Sequence, residues 1–371
     1  MKGFGMRVAL ITYSTKPRGG VVHTLALAEA LADAGADVTV WSLARGSDSG
    51  FFRRVDPRVR LRLVEFATIP DETVTDRIVR SIETMRRAFD RQHYDIVHAQ
   101  DCISANAVGP CIRTVHHLDE FTTPVLAECH EKAIVDPYAR ICVSRAVADE
   151  IVDGWDLHPT VIPNGVAAQR FNDAADDTPD AIAARERWRS QLGPYVLAVG
   201  GIEPRKGSID LLDAYALFQT THPGLSLVFA GGETLFDYRD YRAEFDRRRG
   251  ELDVTPTVLG TVDDDDLPAL VAASDVFAFP STKEGFGLAA MEALAAGRPV
   301  VTRDLPVLRE VFGDSVSYAA DVPQLADALA DALTVDADRV ASGRRLAESM
   351  TWAAAARAHL RFYADHPMAI R

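Results

Sequence analysis

Short apolar runs alternate with amphipathic helical stretches along nearly the whole chain, and this alternation most constrains the fold. Residues 8–12 and 38–41 are apolar runs separated by a helical pattern that ends at Gly35. Strands joined through helices at this spacing form a parallel sheet that is covered on both faces. The alternation pauses near residue 167 and restarts at residues 195–199, so the 371-residue chain is predicted to form two successive doubly wound α/β domains.

The boundary between the two predicted domains lies where the periodicity is lost. We predict a first Rossmann-like domain over residues 1–168, a linker rich in Ala and Asp over 169–185, and a second Rossmann-like domain over 186–350. Open α/β sheets bind ligands beyond the carboxyl ends of their strands. The cleft between two such domains is therefore the expected binding site.

Composition excludes several classes of protein. A net charge of −14 disfavours nucleic acid as a partner, which needs a basic face. No apolar run reaches the roughly 18 residues of a membrane span, and the first residues do not resemble a signal peptide. We therefore expect a cytoplasmic protein. The four cysteines form no Cys-x-x-Cys pair and are expected to be reduced thiols.

The sharpest motif lies at residues 280–297, where an apolar strand ends at Pro280 and a helical pattern ends at Gly297. We predict that the helix begins near Glu284, which would place Glu284 and Glu292 about 12 Å apart along its axis and about 80° apart around it. Two carboxylates that act on one bond need a separation of about 5–10 Å. The longer spacing favours one elongated ligand held at both ends.

Backbone amides lie between these two carboxylates. Phe286, Gly287 and Leu288 would stand at the helix N-terminus, where amides and the helix dipole bind anions. Carboxylate, anion site and carboxylate match the sugar, diphosphate and ribose of a nucleotide sugar. Acidic residues in a solvated first helical turn are the simpler interpretation of the carboxylates alone.

Two further turns follow predicted strands and carry residues suited to anions. Arg205 and Lys206 follow the strand 195–199, at the carboxyl end where a phosphate would lie. Gly19 and Gly20 join the first strand to the first helix, and paired glycines there allow close backbone contact with an anion. Solvated or tight turns would also account for both segments.

Two other groups of residues, His116 and the run 263–266, are also candidate site residues. His116 follows the strand 112–115 and could extend beyond the sheet edge, although such histidines are more often structural. The run 263–266 consists of four aspartates and contains an Asp-x-Asp pattern that could hold a metal. Because it directly precedes a helical pattern, we instead expect it to cap that helix and interact with its dipole.

Together these motifs resemble glycosyltransferase family 4, whose members have the GT-B fold, two Rossmann-like domains facing each other across a cleft. The segment from Glu284 to Gly297 is similar to the Glu-x7-Glu signature of that family, and the resemblance covers nearly the whole chain. The segment 161–166 and the closing helix at 352–368 also match. In the family this closing helix returns to complete the first domain.

The resemblance implies retaining transfer of a sugar from a nucleotide-diphosphate sugar, with neither a metal nor another cofactor. Glu284 would hold donor-sugar hydroxyls, Glu292 the ribose, and Lys206 the diphosphate. His116 would contact the donor sugar and Val262 would flank the base. Amides at Gly20 and at residues 286–288 would assist Lys206, since fixed cations and amides stabilise the anion that forms as the sugar leaves.

One position departs from the family pattern. The family places an arginine, which contacts the diphosphate, where this chain has Gly201. We hypothesise that Arg205 takes over its role, because a guanidinium can bind a diphosphate through two parallel hydrogen bonds.

Other functions are compatible with the same residues. A nucleotide-sugar epimerase on this fold would need no acceptor, and a non-catalytic nucleotide-sugar-binding protein would bind without turnover. The acceptor of a transferase could be a small molecule, a glycan or a lipid. The helix predicted over 74–90 carries Ile78 and Ile82 on one face and several arginines elsewhere. We expect it to pack into the core, with peripheral contact at the inner membrane face as the alternative.

Overall fold

The computed structural model describes residues 5–46, 48–119, 121, 123–232, 238–334 and 337–367. These residues form two compact units. Unit 1 consists of the described residues of Met1–Gly165 and Met350–Arg371, and unit 2 of Val166–Ser349. Each unit contains its own parallel sheet and its own hydrophobic core.

The sheet of unit 1 has seven parallel strands in the order β3-β2-β1-β4-β5-β6-β7. Strand β1 is buried along nearly its whole length, as expected for a parallel strand covered by helices on both faces. The strands are β1 (Arg7–Thr12), β2 (Asp37–Arg45), β3 (Arg60–Phe66), β4 (Ile96–Ala99), β5 (Ile112–Val115), β6 (Ala139–Cys142) and β7 (Thr160–Val161).

Helices cover both faces of this sheet and connect its strands. Helix α2 buries Ile78, Ile82 and Met85, so the predicted core-facing side of this helix is confirmed. Two of its neighbouring arginines, Arg86 and Arg91, donate to backbone carbonyls within unit 1. The helices are α1 (Gly19–Asp33), α2 (Val74–Ala88), α3 (Cys102–Val108), α4 (Pro124–Val135) and α5 (Arg145–Trp155).

The sheet of unit 2 has six parallel strands in the order β10-β9-β8-β11-β12-β13. In both sheets the strand order reverses beside the first strand of the unit, which is the doubly wound topology that the sequence predicts. The strands are β8 (Tyr195–Val199), β9 (Ser226–Ala230), β10 (Thr257–Gly260), β11 (Val276–Phe279), β12 (Val300–Arg303) and β13 (Ser317–Ala319).

The helices of unit 2 begin with two that the sequence did not predict. The helices are α6 (Ala168–Ala175), α7 (Pro179–Leu192), α8 (Ser208–Gln219), α9 (Arg239–Glu251), α10 (Leu267–Ala273), α11 (Leu288–Ala295), α12 (Pro306–Phe312), α13 (Val322–Ala332) and α14 (Ala337–Ser349).

Helix α6 and the first half of α7 occupy residues 169–185, for which we predicted a linker. The periodicity is weak because α6 is short and buries only Ala168 and Phe171, while α7 has no fully buried side chain. Local signals nevertheless start α7: the Thr178 side chain accepts a hydrogen bond from the Ala181 amide, and Pro179 occupies the first turn.

The last helix, α15 (Trp352–Asp365), belongs to unit 1. Its residues Ala356, Phe362 and Tyr363 join the core that contains Leu25 of α1. The helix ends three residues before the predicted end at residue 368, which lies outside the described residues.

Two sequence-based expectations concern the cysteines and the membrane. All four cysteines are free thiols, and Cys111 and Cys142 are buried. No helix within the described residues combines the length and the apolar composition needed to cross a lipid bilayer.

Candidate functional site

Two turns of unit 2 meet at the carboxyl edge of its sheet, one after β8 and one after β11. The first contains a short 3-10 helix, Pro204–Lys206, followed by Gly207 with a φ of 64°. A Cβ atom at Gly207 would lie 2.3 Å from the carbonyl oxygen of Pro280 in the second turn, so only glycine fits. The Thr282 amide donates to the Arg205 carbonyl over 2.8 Å. Backbone contacts therefore hold the two turns together.

These turns bring three predicted site residues into one ion cluster. Lys206 Nζ lies 2.6 Å and Arg205 Nη1 3.0 Å from the same oxygen, Oε1, of Glu284. The Glu284 side chain is only 10% exposed. Burial lowers the pKa of Lys206 below its ordinary value; Glu284 opposes this shift and Arg205 adds to it. Charges shielded from water in this way interact more strongly than charges on an open surface.

A serine that the sequence analysis missed lies beside this cluster. Ser281 is buried, and its hydroxyl has no hydrogen-bond partner among the described residues. It lines a cavity of about 10 Å³ together with Gly200, Gly201 and Lys206. Such a volume accommodates about one water molecule or a single polar atom of a ligand. The only sequence signal for Ser281 is its position directly after Pro280, at the end of a strand.

The helix of the 280–297 motif begins at Leu288, four residues later than predicted. Gly287 precedes it in a left-handed conformation, with φ 95° and ψ 50°, and a Cβ atom there would lie 2.9 Å from the Phe312 ring. A left-handed residue cannot continue a right-handed helix. Glu284 therefore lies in the turn before α11, and the prediction that Glu284 and Glu292 project from one helix was wrong.

Of the three amides predicted to bind an anion, those of Gly287 and Leu288 lie at the start of this helix, and that of Phe286 precedes it. Leu288 is the first residue of α11, and Gly287 is its cap. The Phe286 side chain is buried beneath the turn. The first amides of a helix have no partner within the helix, so this terminus retains the capacity to bind an anion.

Glu292 lies on α11, apart from the ion cluster. Burial, which keeps water from the carboxyl group, raises the pKa of Glu292 to about 8; the nearby Arg170 counteracts this shift and Asp264 adds to it. Arg170 Nη1 in turn contacts the Asp264 carboxylate at 2.8 Å. The pKa of Glu292 is therefore raised above that of a solvated surface glutamate, which favours the protonated carboxyl group in the free protein.

The four-aspartate run forms ion pairs rather than the predicted cap. Asp266 stands at the cap position of α10, but its side chain makes no capping hydrogen bond. Instead Asp266 pairs with Arg187 at 3.2 Å, and Asp264 pairs with Arg170. Arginines of α6 and α7 compete successfully for these carboxylates, because both helices pack beside α10.

Val262 follows β10 at the same edge of the unit 2 sheet. It lies two residues after Gly260, which has a φ of 71°. The turn after β9 packs closely against the turn after β10, since a Cβ atom at Gly232 would lie 2.2 Å from Thr261 Oγ1. The edge therefore carries Val262, the ion cluster and the start of α11.

In unit 1, His116 lies against Gly20, and Gly19 and Gly20 begin helix α1 instead of forming the predicted turn before it. A Cβ atom at Gly20 would lie 3.7 Å from Cδ2 of His116, whereas the position beside Gly19 is open. Burial lowers the pKa of His116 well below its ordinary value, so the imidazole is neutral. The His116 Nε2 atom is buried without a hydrogen-bond partner among the described residues.

Two residues that sequence reasoning missed fix the surroundings of His116. His23 packs edge-on against it, with ring centroids 4.7 Å apart. Nδ1 of His23 lies 2.8 Å from Oδ1 of Asn164, which requires the Nδ1–H tautomer of a neutral His23. Burial lowers the pKa of His23 to about 3. Helical spacing from Gly20 could have suggested His23, but only the fold reveals the contact with Asn164.

Two doubly wound parallel α/β units are the architecture of the GT-B class of glycosyltransferases, and here the carboxyl edge of the second sheet carries a cluster of cations. Residues 183–345 match the family described as Glycosyl transferases group 1. Residues 17–170 match the family described as Glycosyltransferase Family 4. The chain therefore belongs to the group 1, family 4 glycosyltransferases, and its resemblance to glycosyltransferase family 4 is confirmed.

Individual relatives agree with this assignment. The chain is 28% identical to the D-inositol 3-phosphate glycosyltransferase of Salinispora arenicola, over 84% of this chain and 79% of that protein. It is 30% identical to the glycogen synthase of Mycobacterium tuberculosis, over 82% and 80%. The structure of the Anabaena protein HepE in complex with UDP-glucose is similar in fold, with a TM-score of 0.72, 18% identity, and 97% and 100% coverage.

Proposed function

We propose that this glycosyltransferase moves a sugar from a nucleotide-diphosphate sugar to an acceptor, with retention of anomeric configuration and without a metal. The observation that carries the proposal is the convergence of Arg205 and Lys206 on Glu284, beside the start of α11. The HepE structure contains UDP-glucose, which supports a donor of this class for a chain of the same fold.

The reaction breaks the bond between the anomeric carbon and the diphosphate oxygen, and it forms a bond from that carbon to an acceptor oxygen. The acceptor hydroxyl gives up its proton, which the departing diphosphate takes. Negative charge grows on the diphosphate as its bond breaks. Lys206, Arg205 and the amides at the start of α11 are fixed before the reaction, so they stabilise this charge with little reorganisation.

The ion cluster also explains how the donor would be oriented. Glu284 accepts hydrogen bonds from the donor-sugar hydroxyls, while the two cations contact the diphosphate. The Ser281 hydroxyl, which has no hydrogen-bond partner among the described residues, can donate to a diphosphate oxygen beside Arg205 and Lys206. Glu292 is assigned to the ribose and Val262 to the base.

Metal independence rests on the cations that occupy the place of a metal. Arg205 and Lys206 supply two positive charges at the proposed diphosphate site. Two aspartates of the 263–266 run, the metal-binding candidate of the sequence, are engaged by Arg170 and Arg187. Lewis-acid stabilisation of the leaving group is thus replaced by side-chain cations.

A transfer assay with UDP-, GDP- and ADP-sugars tests the proposal. Candidate donors are first identified by thermal shift, because a ligand at 100 times its dissociation constant stabilises a protein by about 2.7 kcal/mol. Proton NMR should then show that the product has the same anomeric configuration as the donor. The rate of transfer should be the same with and without EDTA. An inverted product contradicts retention, and activity that disappears in EDTA and returns with Mg²⁺ contradicts metal independence. Conversion of the donor without an acceptor indicates an epimerase instead.

A further inference from the structure

Four arginines gather at the carboxyl edge of the unit 1 sheet, outside the residues assigned above. Arg18 follows β1, Arg45 is the last residue of β2, and Arg77 and Arg80 lie on the first turns of α2. We call this group the arginine pocket. Such a concentration of positive charge is unexpected in a chain with 54 acidic and 40 basic residues.

Arg45 and Arg80 share an aromatic neighbour, Phe66, and therefore lie close to one another. The Arg45 guanidinium carbon lies 5.8 Å, and that of Arg80 3.9 Å, from the centroid of the Phe66 ring. The Arg18 guanidinium carbon lies 5.8 Å from the ring of Tyr13. Burial lowers the pKa of Arg45, and repulsion from Arg77, Arg18 and Arg80 adds to this effect. The four charges therefore act on one another.

Glu72 is a carboxylate beside this group, and it is already paired with Arg80. Glu72 accepts two hydrogen bonds of 2.6 Å from Arg80. By contrast, Nε and Nη2 of Arg45 and Nε of Arg18 are buried without a hydrogen-bond partner among the described residues. Desolvated, unsatisfied N–H groups of a charged side chain are costly.

Other cations of unit 1 form ion pairs with carboxylates. Lys16 pairs with Asp48 at 2.7 Å, and Arg53 pairs with Glu29 at 2.8 Å. Both pairs lie in the same unit as the arginine pocket. Among the described residues, the unpartnered N–H groups of Arg45 are therefore a local property of the arginine pocket, and a ligand would complete their hydrogen bonds.

We propose that the arginine pocket binds a phosphate group of the acceptor. This inference rests on the proposed transferase function, and it names the chemistry of the second substrate. Guanidinium groups match phosphate oxygens through paired, charge-assisted hydrogen bonds, and several arginines around one group suit the double charge of a phosphate monoester.

The location of the pocket agrees with a substrate site. Open α/β sheets bind ligands at the carboxyl ends of their strands, and the pocket lies at that end of β1, β2 and β3. His116 follows β5 at the same edge. Glu72 holds Arg80 in a fixed orientation through both of its oxygens, so part of the pocket is formed before a ligand arrives.

Calorimetric titration with inorganic phosphate at constant ionic strength tests this directly. Wild type and Arg87→Gln should bind phosphate equally, because Arg87 lies on the same helix but is 79% exposed and pairs with Glu83. Arg45→Gln should bind at least ten-fold more weakly. Equal binding by Arg45→Gln and wild type, or no binding by wild type, overturns the proposal.

A second variant keeps the test decisive if Arg45→Gln fails to fold. Arg45→Lys keeps the charge but removes the planar fork, so it should bind phosphate with intermediate affinity. If Arg45→Gln does not fold, wild-type affinity in a folded Arg45→Lys variant contradicts recognition by the guanidinium.

Two sources of phosphate are separated by the choice of probe. Glucose 6-phosphate tests a soluble phosphorylated acceptor, with glucose as its neutral control. Phosphatidic acid vesicles, with phosphatidylcholine vesicles as control, test a lipid headgroup that carries a phosphate monoester. Binding of either probe that depends on Arg45 supports the pocket. Vesicle binding that Arg87→Gln reduces as much as Arg45→Gln does contradicts it, since general surface charge would then explain the attraction.

Failure of the pocket and failure of the transferase proposal are distinguishable. UDP-glucose binding is measured separately by thermal shift. If phosphate binding depends on Arg45 but no nucleotide sugar binds, the donor assignment is wrong and the anion site stands. If a nucleotide sugar binds and Arg45 has no effect on phosphate, the pocket is wrong and the donor site stands.

Discussion

The carboxyl edges of the two sheets compensate their positive charges differently. In unit 2, Arg205 and Lys206 share the carboxylate of Glu284, so the cluster is held together before any ligand binds. In unit 1, Arg45 has buried N–H groups with no hydrogen-bond partner among the described residues. An internally paired cluster is preorganised for a reaction in which charge develops, whereas an unpaired one is suited to a ligand that carries its charge throughout.

The largest effect is expected at the carboxylate that organises the unit 2 cluster. Glu284→Gln keeps the shape but removes the charge that holds Arg205 and Lys206, and it weakens the acceptor for donor-sugar hydroxyls. We expect kcat/KM for transfer to fall on the order of 10³-fold. Glu244→Gln, an exposed change on α9, is the control and should leave kcat/KM unchanged. A Glu284→Gln enzyme with near wild-type kcat/KM would remove Glu284 from the mechanism.

Removal of Lys206 should lower the rate of transfer more than removal of Arg205 does. Lys206→Ala is expected to lower kcat about 10²-fold, because its charge meets the leaving diphosphate, and Arg205→Ala about ten-fold. The loss should appear in kcat more than in KM, as for an interaction that strengthens in the transition state. Steady-state kinetics on both variants, with exposed Arg247→Ala as control, measure this. Wild-type kinetics in Arg205→Ala would show that Arg205 does not replace the family arginine missing at Gly201.

Backbone contact between the two turns should be needed for stability. Gly207→Ala introduces a Cβ atom 2.3 Å from the Pro280 carbonyl oxygen at a left-handed position. We expect the free energy of unfolding to fall by about 2 kcal/mol or more. Gly250→Ala, in helix α9 with open space around it, should be neutral or slightly stabilising. Denaturant unfolding of both variants measures the difference, and equal stability would mean that the turns separate easily.

A pH-dependent change in stability is expected at Glu292. Its pKa is about 8 in the folded chain against an ordinary 4.5, so the unfolded chain loses this proton first as pH rises. The free energy of unfolding of wild type should therefore decrease between pH 5 and pH 8 through this group. Glu292→Gln removes that decrease, and its stability relative to wild type should increase from pH 5 to pH 8. Exposed Glu150→Gln is the control, and a pH-independent difference for Glu292→Gln would contradict the raised pKa.

Much of the fold follows from sequence patterns, because buried parallel strands are short apolar runs and their helices have clear faces. Strands β1, β2, β5 and β8 coincide with the predicted apolar runs 8–12, 38–41, 112–115 and 195–199. Helices α6 and α7 were missed because they bury few side chains. The start of α11 was misplaced because the left-handed conformation of Gly287 is set by its packing against Phe312, far along the chain.

The candidate site was predictable where a single segment carries it and not where distant segments meet. Arg205, Lys206 and Glu284 stand in recognisable motifs, although their shared contact was not foreseen. The contact between His23 and Asn164 joins residues 141 positions apart. Tertiary packing alone determines such a contact, and helical or strand periodicity carries no signal for it.

The central claim is that unit 2 binds the nucleotide-sugar donor through its ion cluster while the arginine pocket of unit 1 serves another substrate. Thermal-shift titration of UDP-glucose, or of whichever nucleotide sugar binds wild type, against Lys206→Ala and Arg45→Gln tests it most directly. The account predicts stabilisation of wild type and of Arg45→Gln by the same amount, and a much weaker response of Lys206→Ala. A response that is lost in Arg45→Gln and retained in Lys206→Ala would contradict it.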